Sequence, residues 1–173
     1  MIRRIAVSLL RTLLFLVFVI YLIEAIRVIV WKQMPPDNVF LPALQLSDMA
    51  SIKRALLHSS NFVPFKTIFS YLFVNENRNI AFSNLMGNIL LFIPFGMLLP
   101  LLTMKLRNTR LVFLLSIGWS LSLEIFELLF SSGTLDVDDL ILNSLGAMIG
   151  YLIIRLMLYF AQQLFRKSNR AIV

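Results

Sequence analysis

Four stretches of this chain are apolar over a long run, and polar residues enter three of them only at helical spacing. They cover about residues 5–31, 85–104, 111–130 and 140–160. About 20 predominantly apolar residues, wound as an α-helix, cross the ~30 Å hydrocarbon core of a bilayer. Nothing alternates with a period of two, so helices rather than a closed barrel must satisfy the main chain in lipid. The pattern predicts one all-α membrane domain over residues 1–173, a bundle of four transmembrane helices.

The first run follows Arg3, Arg4 and Arg11, an arrangement that signal peptides share. No small-x-small cleavage site comes after it, and the apolar pattern resumes through Trp31. The reading is a retained span. Glu24 and Arg27 stand one turn apart and are expected to pair. Residues 32–83 form the longest polar stretch, opened by Pro35-Pro36 and interrupted by Pro42 and Pro64. Within it, Phe62 to Phe73 is strongly aromatic but too short to span. An interfacial or re-entrant segment is expected there, with rings at headgroup depth.

Composition supports lipid as the solvent. Hydrophobic residues make up 59% and charged residues 14% of the chain, against roughly 45–50% and about 25% in soluble domains. Mean hydropathy is +0.85. The net charge of +7 sits beside apolar runs and not on a polar face, which points to anionic headgroups and excludes a nucleic-acid partner. The chain has no cysteine, so disulfide and thiolate chemistry are excluded.

Charge also sets an orientation. Arg3, Arg4 and Arg11, then Lys105, Arg107 and Arg110, then Arg166, Lys167 and Arg170 flank alternate ends of the spans. The positive-inside rule places all three groups, and both termini, in the cytoplasm. The acids Glu24, Asp37, Asp48, Glu76, Glu124, Glu127, Asp136, Asp138 and Asp139 all fall on the other side.

The polar residues within the spans form stripes. Asn84 and Asn88 share a face of the second span; Ser116, Ser120, Glu124 and Glu127 share one on the third; Asp136, Asp139 and Asn143, then Gly146 and Gly150, share one on the fourth. Glu124 lies roughly 9 Å inside the end of its helix at 1.5 Å per residue. A charge at that depth needs partners and faces the bundle interior. The three stripes are expected to converge on one outward-opening polar site. Gly146-xxx-Gly150 reads as a helix-packing motif and Pro94 as a kink.

Enzyme templates find little here. His58 is the only histidine, which excludes a two-histidine lipid phosphatase. Neither G-x-S-x-G nor H-E-x-x-H occurs. Glu124 and Asp139 remain candidates for acid and base. No cofactor is expected, with a divalent cation on Asp136-x-Asp138-Asp139 as the one weak alternative.

The sequence between about 61 and 151 resembles the VanZ-like membrane proteins, named for a protein linked to teicoplanin resistance. The likeness rests on Asn61-Phe-Val-Pro64-Phe65-Lys66, on Asn84-Leu-Met-Gly87-Asn88 through Pro94-Phe95-Gly96, on Glu124, and on Asp136-Val-Asp138-Asp139 through Asn143 and Gly146. Glu127 stands where family members commonly carry Gln. The resemblance implies a cell-envelope protein associated with glycopeptide tolerance and supplies no reaction.

Three functions follow as expectations. The leading one is a non-enzymatic binder of a lipid-linked envelope precursor, a lipoglycopeptide or another lipid-tailed molecule. Asn61, Asn84, Asn88, Glu124, Glu127, Asp136, Asp139 and Asn143 would meet its head, Lys66 a phosphate, and Pro64 and Phe65 the membrane-facing lip. The second is an enzyme acting on an envelope lipid through Glu124 or Asp139. The third is a small transporter, which four spans without a repeat would require to oligomerise.

Overall fold

The structure, a computed structural model, describes residues 2–32, 47–74, 77–130 and 133–170. Pro35, Pro36, Asp37, Pro42 and Glu76 of the polar loops lie outside the described residues. The helices are α1 (Ile2–Lys32), α2 (Met49–Arg54), α3 (Lys66–Phe69), α4 (Arg78–Leu102), α5 (Thr109–Phe130) and α6 (Val137–Arg170). Of these, α1, α4, α5 and α6 are long and apolar enough to cross a membrane. The chain therefore has the architecture of an all-helical, multi-pass membrane protein.

The capping residues show why the helices start where they do. The Asn77 side chain accepts from the Ile80 N–H at 3.4 Å, so α4 begins at Arg78, ahead of its apolar run. The Asn108 side chain accepts from Arg110 N–H at 2.9 Å at the start of α5. Asp136 does the same for α6, accepting from Asp138 N–H at 2.9 Å. Asn and Asp are preferred in this role because their short side chains reach otherwise unpaired N–H groups.

Packing orders the four long helices around α4 and α6. A Cβ built on Gly146 would lie 2.1 Å from the Ile89 carbonyl oxygen, and one on Gly150 would lie 2.0 Å from that of Ile93. Both numbers rise together, so α4 and α6 run parallel, backbone against backbone. Such close approach is how helices associate in lipid, where burying apolar surface gives no drive. α5 runs antiparallel to α6, with Ser120 beside Asn143 and Thr109 beside Tyr151. The core between them comprises Phe92, Phe95, Leu99, Val112, Leu123, Ala147 and Tyr151.

α1 lies on the outside of this trio. Phe18 and Tyr21 meet Phe95 with ring centroids 5.8 and 6.4 Å apart, and Ala25 is buried. The Tyr21 hydroxyl donates to the Leu91 carbonyl at 2.8 Å. That carbonyl lies in the turn before Pro94, whose missing N–H disrupts the helical ladder there. Leu9, Leu13, Phe15 and Leu16 remain exposed, which suits a helix with lipid on most sides. Glu24 and Arg27 pair at 2.9 Å as their spacing predicts.

Lys105, Arg107, Arg110 and Arg155 cluster at one end of the bundle, the basic end. There the Tyr151 hydroxyl donates to the Arg107 carbonyl at 2.5 Å, and the Arg155 guanidinium lies 5.7 Å from the Tyr151 ring centroid. Arg107 Nε donates to the Pro100 carbonyl at 3.4 Å, capping the last turn of α4. The 3-10 turn Met104–Arg107 is thereby tied to α6. The other end is acidic and carries the polar residues.

Candidate functional site

At the acidic end, two short extended pieces meet main chain to main chain. Asn61 N–H donates to the Leu135 carbonyl at 2.7 Å, and Val137 N–H donates to the Asn61 carbonyl at 3.0 Å. This pairing brings the segment Ser60–Ile68 onto the start of α6. The segment then turns sharply at Phe65, whose φ of 67° is left-handed, a conformation that costs a side-chain-bearing residue about 1–2 kcal/mol.

Asp138 is what holds that turn. Its side chain is fully buried and accepts from three main-chain N–H groups: Phe65 at 2.5 Å, Thr67 at 2.7 Å and Ile68 at 3.1 Å. A buried carboxylate is tolerable when its oxygens are filled in this way, and the first turn of α6 adds its own positive end. Asp136 completes the clasp, accepting from Asn61 Nδ2 at 3.0 Å and from the Thr67 hydroxyl at 2.6 Å.

A second polar group lies beside the clasp, between α4, α5 and α6. Asn88 Nδ2 donates to Asp139. Asp136 N–H donates to Glu124 Oε2 at 3.0 Å. One turn further in, Asn143 Nδ2 donates to the Ser120 hydroxyl at 2.8 Å. Asn84, Asn88, Glu127, Asp136 and Asp139 are half-buried, forming a rim. Glu124 and Asn143 are 5% and 4% exposed and form the floor. Glu124 is desolvated and repelled, chiefly by Asp139 and then by Glu127 and Asp136. The Asn143 carbonyl oxygen is buried without a hydrogen-bond partner.

The residues singled out from sequence fall into distinct places. Asn61 and Asp136 belong to the clasp. Asn88, Glu124, Asp139 and Asn143 stand together in the second group. Asn84 sits on its edge, where its Nδ2 donates to the Tyr71 hydroxyl at 3.2 Å. Glu127 lies one turn from Glu124, beside Gly133. Pro64, Phe65 and Lys66 are exposed on the clasped segment, next to the exposed Phe62, Phe69 and Phe73. Sequence reasoning did not foresee the roles of Asp138, Thr67 and Tyr71. Among the described residues, no three carboxylates or histidines stand together as a metal-holding group.

The sequence model of the VanZ/LLP1 family matches residues 13–158. That range includes most of α1 and of α6, and so takes in more than the 61–151 core. No curated protein and no solved structure matches the chain.

Proposed function

From the premise that this chain belongs to the VanZ/LLP1 family, we propose that it binds the polar head of a lipid-linked or lipid-tailed molecule at the acidic end of its bundle. The acidic end faces the extracytoplasmic side, and the basic end with both termini faces the cytoplasm, in keeping with the positive-inside rule. Binding there alters susceptibility to glycopeptides of the teicoplanin type, as the VanZ likeness implies.

The observation that carries this reading is the step from a half-buried polar rim to a buried floor with acceptors still open. Such a gradient suits a polar head inserted from the interface. The exposed rings of Phe62, Phe65, Phe69 and Phe73 lie on the neighbouring segment, where they can meet acyl chains. Lys66, exposed on the same segment, offers a cation to a phosphate.

A second reading rests on Glu124 and Asp139, two carboxylates close enough to repel one another. Such a pair can divide the roles of acid and base on an envelope lipid. Turnover of a lipid substrate separates this enzyme from the binder, which gives saturable binding and no product.

The test of the polar site is substitution at normal expression. Glu124→Gln and Asp139→Asn are each expected to abolish the glycopeptide phenotype while the protein stays inserted and folded, since neutralising a buried acid keeps its shape and removes its desolvation cost. Full function in Glu124→Gln would remove the main support for binding here.

A further inference from the structure

The acidic end is unbalanced in charge, and its hydrogen bonds sort its acids into filled and unfilled groups. Glu124, Asp136 and Asp138 accept only from uncharged donors: amides, a hydroxyl and main-chain N–H groups. Among the described residues, the one ion pair is Arg27 with Glu24, on α1. Both oxygens of Asp136 and both of Asp138 are filled by the clasp, so these two are structural.

Glu124 differs from them. Its Oε2 accepts one N–H, and its Oε1 has no hydrogen-bond donor. One helical turn deeper, Ser120 fixes the Asn143 side chain by its Nδ2, leaving the buried Oδ1 unpartnered. Asn143 lies one turn from Asp139 on the same stripe of α6. Two open acceptors, Glu124 Oε1 and Asn143 Oδ1, therefore sit in a desolvated place that further carboxylates make more negative.

Resting on the amphiphile-binding reading above, we infer that the head bound here carries a primary ammonium group, as in an aminophospholipid. The ammonium is compact, positive and has three N–H donors with no acceptor, which complements two open acceptors beside Asp139. Its charge offsets the repulsion that Asp139, Glu127 and Asp136 impose on Glu124, and the low local dielectric strengthens that attraction. The phosphate of the same headgroup stands near the ammonium, where the exposed Lys66 of the clasped segment meets it. A quaternary ammonium keeps the charge but has no N–H, so it fills neither acceptor.

The test is a titration of the purified full chain in detergent with short-chain phospholipids that share their acyl chains. Their headgroups run from ethanolamine through its mono- and dimethyl forms to choline, with phosphatidylglycerol beside them. Affinity is expected to fall along the methyl series, by on the order of tenfold or more from first to last, as charge-assisted hydrogen bonds are lost. Phosphatidylglycerol is expected to bind no better than choline, and Glu124→Gln to level the series. The methyl series on the unaltered chain needs no variant, so a folding defect in Glu124→Gln does not decide the matter. Equal affinity along the series, weakened by Glu124→Gln, would overturn the ammonium and leave amphiphile binding at this site standing. Equal affinity that Glu124→Gln leaves unchanged would overturn both.

Discussion

Asp138 accepts the main-chain N–H of Phe65, 73 residues earlier in the chain, at 2.5 Å. Phe65 is the one described non-glycine residue with positive φ, so the carboxylate anchors the turn that is hardest to make. Asp138→Asn presents an amide NH₂ where the carboxylate met three N–H groups, leaving at least one main-chain donor buried and unfilled. The expected loss is about 3 kcal/mol, read as a lower unfolding midpoint in detergent. Proteolysis within residues 60–74 is expected to rise with it. An unchanged midpoint would mean that the clasp contributes nothing to stability.

The α4–α6 contact predicts opposite results at two glycines. Gly150→Ala drives a methyl against the Ile93 carbonyl, 2.0 Å away, and is expected to destabilise by about 3 kcal/mol through forced separation of the helices. Gly87 has nothing within 4 Å of its Cβ position. Gly87→Ala is expected to be neutral or to stabilise by about 0.5–1 kcal/mol through helix propensity. Equal effects in a thermal unfolding assay would rule out this interface.

Tyr21→Phe removes one hydroxyl and the hydrogen bond to the Leu91 carbonyl. A loss of about 1 kcal/mol is expected. A disulfide engineered between α1 and α4 should restore the stability if α1 docking is what was weakened.

These acidic and basic ends also predict a labelling pattern. The chain has no cysteine, so single substitutions stand on a clean background. Asn77→Cys, at the cap of α4 on the acidic end, is expected to react with an impermeant thiol reagent in whole cells. Asn108→Cys, at the basic end, is expected to stay silent until the membrane is opened. The reverse pattern would invert the orientation.

How far the sequence could be read depends on which group bonds to which. Apolar length marked the four long helices because the bilayer fixes that length. Helical spacing marked Asn88, Glu124, Asp139 and Asn143 because side chains on one stripe share a face, and the partners across the bundle are themselves side chains. Asp138 escaped notice for the opposite reason. It projects about a quarter-turn from Asp139, off the stripe, and its partners are main-chain N–H groups of Phe65, Thr67 and Ile68, which any residue but proline carries. The start of α4 was hidden too, because Ser83 and Asn84 interrupt the apolar run while the cap at Asn77 lies upstream.

The parallel contact between α4 and α6 also fixes an order of events at the ribosome. Synthesis delivers α4 and α5 as a hairpin before α6 exists, at about 5–20 residues per second. During that interval Asn88 lacks Asp139, Ser120 lacks Asn143, and Glu124 lacks the Asp136 N–H that it will accept. Ile89 and Ile93 meanwhile present to lipid, or to the insertion machinery, the main-chain face that Gly146 and Gly150 will later cover. The newborn hairpin is therefore a client in need of shelter, and release into the bilayer has to wait for the last helix.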